Sequence, residues 1–434
     1  MKYYSTRHIA PNASLQEAVI KGLAPDRGLY MPEKINKLSP DFFDKIGNLS
    51  LTDIAKIVSE KFFGEDIDKE KLDAIAIEAL NFDIPLKKVE EGIYVLELFH
   101  GPTFAFKDVG ARFMSRMLSY FVKEQHHDSV KVLVATSGDT GSAVANGFLG
   151  VEGIQVFVLY PSGKVSEIQE AQFTTLGQNI VALEIAGTFD DCQALVKSAF
   201  VDEELNKKMY LTSANSINIA RFLPQSIYYF YAYAQLAKQQ LEDNVVVAVP
   251  SGNLGNLAAG LFAKRMGLPV KRFIAANNRN DVFYEYLNSG NYHPRASIQT
   301  IANAMDVGNP SNFERILDLY NQSHKAIQHD ISGKTYSDEE IKNTIRTVYE
   351  KTGYLLDPHG ACAYQALKDE KKPDESGIFL ATAHPAKFKE TVEECIGQNV
   401  EVPERLSAFM QRKKQAVQLS NDYNAFKKTL FNLT

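Results

Sequence analysis

Tryptophan is absent from this chain, and cysteine is scarce, with three in 434 residues. The missing tryptophan excludes nothing by itself. The scarce cysteines exclude more: Cys192, Cys362 and Cys395 stand in no metal-ligand spacing and cannot build a disulfide framework, so no metal is expected and they read as reduced core thiols of a cytoplasmic protein. No apolar run reaches about 18 residues, which argues against a membrane span. The start, Met1-Lys2-Tyr3-Tyr4-Ser5, lacks the apolar centre of a signal peptide. There is no long basic run and the formal net charge is -6, which argues against nucleic acid as the main partner. No solenoid period is present. What remains is an ordinary globular composition, 45% hydrophobic and 23% charged, in a chain too long for one core, so two or three domains are expected.

One stretch organises the rest: His100-Gly101-Pro102-Thr103-Phe104-Ala105-Phe106-Lys107-Asp108. It follows an apolar run (residues 92–99) and opens a segment with helical spacing at Val109, Phe113, Met117 and Phe121. A lysine held between phenylalanines at a helix start is desolvated, which lowers its pKa and suits an imine-forming amine. A lysine with its stem on the core and its head in water would give the same letters.

Residues 1–93 read as a small mixed unit with a short helix from Ser14, where Ser14 and Glu17 have capping-box spacing, and no catalytic cluster. We take this unit as a supporting domain. From about residue 130 the pattern becomes strand, glycine loop, helix. Strands are expected at 130–135, 154–160, 180–185, 245–250, 270–275 and 377–381, with helices from Asp190, Leu257 and Asp338. This is βαβ grammar, implying parallel sheets with helices on their faces. Residues 284–303 are loop-rich, and 401–434 read as a helical appendage.

Ligands bind at the carboxyl edge of such sheets. Gly252-Asn253-Leu254-Gly255-Asn256 offers close backbone approach and helix-start N–H groups, an anion site that suits a phosphate. It is neither G-x-G-x-x-G nor a P-loop, so no dinucleotide fingerprint is met. Glycines at a strand-to-helix turn also occur for structural reasons alone. Ser137, Gly138, Asp139, Thr140 and Gly141 form a second loop, able to hold a carboxylate or merely to cap a helix. Asn215, Ser216, Asn218 and Arg221 would make a second anion site, or a polar helix start with a structural arginine. Thr382, after a buried strand, offers a neutral hydroxyl.

Together the 100–108, 137–141, 251–256 and 213–221 motifs and, as the fifth, Thr382-Ala383-His384-Pro385-Ala386-Lys387-Phe388, with the 23–32 stretch besides, resemble the threonine synthases, in the bacterial and fungal branch, from the start to about residue 400. The resemblance implies an α/β enzyme of the pyridoxal-phosphate fold type II: two open parallel-sheet α/β domains preceded by a small mixed N-terminal domain. The expected division is 1–93; a large cofactor domain of 94–128 and 231–400; a small α/β domain of 129–230; and a helical extension at 401–434. Further implied are pyridoxal 5'-phosphate as cofactor, O-phospho-L-homoserine as substrate, and a monomer or homodimer. Lys107 would carry the cofactor and move protons. Residues Gly252, Asn253, Leu254, Gly255 and Asn256 would hold its phosphate, and Thr382 would face its ring nitrogen. Asp139 stands where many relatives carry an asparagine near the ring oxygen. Thr103, Ser137, Gly138, Thr140 and Gly141 would bind substrate, and Asn215, Ser216, Asn218 and Arg221 its phosphate. The implied reaction is a lyase step: phosphate leaves Cγ, water adds at Cβ, and threonine and phosphate result. A dehydratase or β-replacement enzyme of the same fold, a phospholyase, and a nucleotide-binding regulatory module are the rivals.

Overall fold

The computed structural model describes residues 1–125 and 129–433; the domain junction expected at 128 and the last residue of the expected extension lie outside them. Among the described residues thirteen strands form three sheets. A short antiparallel ladder pairs β1 (Tyr3–Ser5) with β2 (Tyr30–Pro32). The largest sheet joins β3 (Leu86–Glu90), β4 (Ile93–Glu97), β9 (Val246–Pro250), β10 (Arg272–Asn277), β11 (Ile331–Thr335) and β12 (Gly377–Ala381) in the order β11-β10-β9-β12-β4-β3. The third sheet joins β5 (Val130–Ala135), β6 (Ile154–Pro161), β7 (Ile180–Ala186), β8 (Tyr210–Ser213) and β13 (Val417–Ser420) in the order β13-β7-β6-β5-β8. Every pairing in these two sheets is parallel except β3 against β4.

The strands read from apolar runs fall where expected, because parallel strands covered on both faces must be apolar along their length; β5, β9 and β12 are buried throughout. The short or mixed strands β3, β8, β11 and β13 escaped that signal. The last corrects the reading of 401–434 as purely helical: β13 extends the β5–β8 sheet along the edge of β7, and the helix Tyr423–Asn432 buries Phe426 and Leu430 nearby. The sequence of β13, Val-Gln-Leu-Ser, is exposed on most residues, as an edge strand can be. At the first helix, Ser14 accepts from the Glu17 N–H at 3.1 Å, but Glu17 reaches forward to Lys21, so only half of the capping box forms.

Four strand ends set up the site. Thr136 follows β5, Ala214 follows β8, Ser251 follows β9 and Thr382 follows β12. All are carboxyl ends, so two sheets bring their ligand-binding edges to one cleft.

Candidate active site

The cleft holds about 1650 Å³, room for more than one small molecule. Lys107 is the first residue of the helix Lys107–Gln125. The loop before it is pinned to the extension of β12. Phe106 N–H donates to the Thr382 carbonyl at 2.8 Å, His384 N–H donates to the Phe104 carbonyl at 3.0 Å, and Ala105 bridges Ala383. Phe104 takes a left-handed φ of 57°, which a bulky residue adopts only under constraint. Buried Asp108 ties the loop from inside, accepting from Thr103 N–H at 2.8 Å and Thr103 Oγ1 at 2.6 Å. Arg405 covers it from outside, donating to the Gly101 carbonyl at 2.8 Å and stacking on Phe104. These bonds fix where the amine points.

Part of the Lys107 side chain opens to the cleft, yet protein encloses it densely enough to push its amine down to about 8. Burial is the main cause; Arg221 and Lys387 add repulsion and Asp139 opposes them. Asp139 and Lys387 form a buried pair at 2.5 Å, and Gln169 Nε2 donates to the same carboxylate oxygen at 2.8 Å. Burial alone would raise Asp139; the two lysines override it and hold the carboxyl well below the usual range. Lys387 also donates to the Thr103 carbonyl at 2.9 Å, so the pair joins the β5 loop to the lysine loop.

The glycine turn lies on the same cleft. The helix Gly255–Arg265 begins there with no side-chain cap, and Leu254 holds a left-handed φ of 59°. A Cβ on Gly252 would stand 2.8 Å from Met305 Cα and 2.9 Å from the Ala304 carbonyl, so only glycine fits under that neighbouring turn. His359 holds the neighbouring turn: its Nε2 accepts from Ala304 N–H at 3.1 Å, which places the ring proton on Nδ1 facing Asp357 at 2.7 Å.

Of the residues singled out from the sequence, Lys107, Ser137, Thr140, Asn215, Ser216, Arg221, Gly252, Asn253, Leu254, Gly255, Asn256 and Thr382 line the cleft. Five do not. Thr103 is buried with both donors spent on Asp108 and its carbonyl on Lys387 and Gln172, so it shapes the lysine loop. Gly138 packs on Gln169 and Gly141 on Thr136, behind the wall. Asp139 faces Lys387. Asn218 donates to the Val19 carbonyl at 2.9 Å and caps Ala220, so it joins the N-terminal unit to the fold. Ser216 Oγ accepts from Asn253 Nδ2 at 2.8 Å, which seats it beside the glycine turn. The N-terminal unit is more than a support, since Leu23, Ala24, Pro25, Arg27 and Leu29 form part of the cleft wall. Sequence reasoning missed Lys387, Gln169, His359, Asn312 and Arg315. Of these only Lys387 stood inside a quoted motif.

The family model of pyridoxal-phosphate dependent enzymes matches residues 77–380, that of the threonine synthase N terminus 2–80, and that of the threonine synthase C-terminal region 359–430. Threonine synthase of Haemophilus influenzae is 46% identical over 98% of both chains, and that of Escherichia coli 44% identical over 100% of both. The chain belongs to the threonine synthase family. The crystal structure of the Escherichia coli threonine synthase matches at a TM-score of 0.94 with 43% identity, covering 100% of both chains. The pyridoxal-phosphate-bound threonine synthase of Brucella melitensis matches at 0.93 with 35% identity, covering 100% of this chain and 99% of that one. Fold type II is therefore the fold of this family member. Among the described residues no helix is long and apolar enough to cross a membrane, and no cluster of His, Cys, Asp and Glu could hold a metal ion.

The residues present fit pyridoxal phosphate. The amine is pushed toward its neutral form, the glycine turn is a cradle that a Cβ would fill, and the Asn215 Oδ1 is buried without a partner among the described residues.

Proposed function

We propose that this chain converts O-phospho-L-homoserine and water into L-threonine and phosphate, with pyridoxal phosphate held at the cleft. The observation that carries this reading is one cleft holding a desolvated lysine, an anion-accepting glycine turn and a buried arginine. Bound pyridoxal phosphate supplies a sink for electrons released at the substrate's carbon chain.

The rest falls to the chain. Lys107 would attach the cofactor; its amine, neutral in a useful fraction near pH 8, would accept a proton at Cα and return one later. The glycine turn, residues 252–256, would hold the cofactor phosphate with backbone N–H groups at a helix start. Ser137, Thr140 and the start of the helix Asp139–Phe148 would hold the substrate carboxylate. Arg221, fully buried and lowered only to about 10, stays charged at neutral pH, and with Asn215 it would bind the phosphate that leaves Cγ. Thr382 would meet the ring nitrogen as a neutral partner. Asp139 carries a charge already spent on Lys387, so the site does not face a free carboxylate there. Arg221 and Lys387 place two cations near Lys107, which suits phosphate-bearing ligands.

Three buried free cysteines fit a reducing compartment such as the cytoplasm. We assign the large sheet to a cofactor domain and the β5–β8 sheet to a smaller domain inserted between β4 and β9. The test is product analysis with O-phospho-L-homoserine. Release of inorganic phosphate together with L-threonine is expected. Release of 2-oxobutanoate, or ammonia from threonine at a comparable rate, would replace this reading by a phospholyase or a dehydratase.

A further inference from the structure

Arg315 is fully buried, and among the described residues its only nearby carboxylate is that of Glu314, which faces solvent and bonds Thr6. Burial lowers it to about 9, which leaves it charged at neutral pH. Its four hydrogen bonds all go to neutral oxygens: Ser216 carbonyl at 3.0 Å, Asn312 Oδ1 at 2.6 Å, Ile217 carbonyl at 2.6 Å and Tyr30 carbonyl at 3.3 Å. Its Nε is buried with no partner among the described residues, and its Cζ lies 4.2 Å from the Phe222 ring centroid. An uncompensated buried cation is costly and calls for a use.

The hydrogen-bond polarity shows one. A guanidinium only donates. Because Arg315 donates to Asn312 Oδ1, the Asn312 amide must turn its NH2 to Ser216 Oγ, at 3.0 Å. On the other side, Ser311 N–H donates to Asn253 Oδ1 at 2.6 Å, so Asn253 also turns its NH2 to Ser216 Oγ, at 2.8 Å. Both lone pairs of the serine oxygen are then filled. Its hydrogen must be given away, and no protein acceptor for it is present among the described residues. Ser216 lines the cleft beside Gly255, where its Cβ is 3.1 Å from the place a Gly255 Cβ would take.

We infer that Arg315 is a positioning residue for phosphate recognition: through Asn312 it forces the Ser216 hydroxyl to act as a donor into the glycine turn, and it places a positive charge behind that donor. The inference rests on the reading of residues 252–256 as the cofactor phosphate site. Pyridoxal, which lacks the phosphate, separates the two claims. Full-length protein stripped of cofactor is titrated with pyridoxal phosphate and with pyridoxal, as wild type and as Arg315→Met, Arg315→Lys and Ser216→Ala. Wild type is expected to prefer the phosphorylated form. Arg315→Met and Ser216→Ala each lose about 10- to 100-fold of that preference, the scale of one hydrogen bond to a charged group. Pyridoxal binding stays unchanged, and Arg315→Lys, still donor-only, recovers most of the loss. Equal weakening toward both ligands would mean a merely structural arginine and would overturn the inference. So would an unchanged preference in Ser216→Ala, which carries the test if Arg315→Met does not fold. A wild type with no preference for the phosphorylated form would instead overturn the glycine-turn reading, and this inference with it.

Discussion

Replacing Lys387 by methionine should damage the protein in a way that a second substitution repairs. The Lys387 side chain is 0% and that of Asp139 3% exposed, and they lie 2.5 Å apart. Removing one partner of a buried pair costs about 3–5 kcal/mol, because a charge stays buried without its counterpart. Asp139 keeps the Gln169 bond and the attraction of Lys107, so we expect the lower end, about 3 kcal/mol. Unfolding entropy of about 2.1 cal/mol/K per residue over 434 residues is about 0.9 kcal/mol/K, so Tm should fall by about 3 °C. Adding Asp139→Asn removes the orphaned charge and should restore most of that loss. The folded Asp139 pKa is depressed, so the pair's contribution is present above the ordinary carboxylate range and fades as pH falls below it. The gap between wild type and Lys387→Met should close in acid accordingly. The same variants should move Lys107 in opposite directions. Lys387 repels its charged form and Asp139 attracts it, so Lys387→Met raises the amine pKa and Asp139→Asn lowers it. The assay is pH-dependent acylation of Lys107 in cofactor-free protein, followed by peptide mass spectrometry, with a wild-type midpoint near 8. If Lys387→Met melts with the wild type, or if both variants shift the midpoint the same way, the account of this pair is wrong.

Lys107→Ala should abolish turnover and the absorbance of the attached cofactor; a variant that kept the wild-type spectrum would refute the lysine assignment. Gly252→Ala places a methyl 2.8 Å from the Met305 Cα, so a backbone must move. Overpacking of about 1–3 kcal/mol should appear as weaker cofactor binding in a spectroscopic titration. Asp306 accepts from Thr300 N–H, Thr300 Oγ1, Asn278 Nδ2 and Asn280 Nδ2, which holds the 295–308 loop against the cleft. Asp306→Asn sets a donor against those donors, at a cost of about 1–3 kcal/mol. The expected result is a raised KM with little change in kcat and faster proteolysis of that loop. Between pH 8 and the ordinary lysine range, folded cofactor-free protein binds fewer protons at Lys107 than unfolded protein, so this group makes stability rise with pH there; urea midpoints of wild type against Lys107→Met measure it.

What could be read from the sequence was whatever had a local cause. Apolar strands covered on both faces leave unbroken runs, so β5, β9 and β12 were legible to the residue or nearly so. The lysine motif and the glycine turn were legible because helix starts and close backbone approach demand particular residue types in sequence. Lys387 was not, because its partner Asp139 lies 248 positions earlier and nothing local to it signals a buried cation. The place of Thr103 was hidden for a related reason: a hydroxyl near the helix-start lysine looks like a ligand until Asp108 is seen to take both of its donors. Asn218 and Ser216 stood in one polar segment, yet one turns to the Val19 carbonyl and the other to the glycine turn. Two residues of spacing decide which side of the backbone each serves.

The N-terminal unit shows how far such long-range logic reaches. Tyr30, on β2, gives its carbonyl to Arg315; Tyr4 on β1 donates to Asp318 at 2.6 Å, and Thr6 to Glu314 at 3.0 Å. All three land on the helix Phe313–Leu319 or its first turn, which begins just after Asn312. That helix carries Arg315 and ends the segment whose Ser311 and Asn312 orient Asn253 and Ser216. The N-terminal unit thus holds the helix that, on the reading inferred above, sets the polarity at the glycine turn. Loosening it at Tyr4, by Tyr4→Phe, removes one bond to a partly buried carboxylate and should cost about 1–2 kcal/mol. If the coupling is real, part of that cost appears as weaker binding of pyridoxal phosphate than of pyridoxal relative to wild type. A loss of stability with the ratio of the two affinities untouched would confine the N-terminal unit to holding the fold.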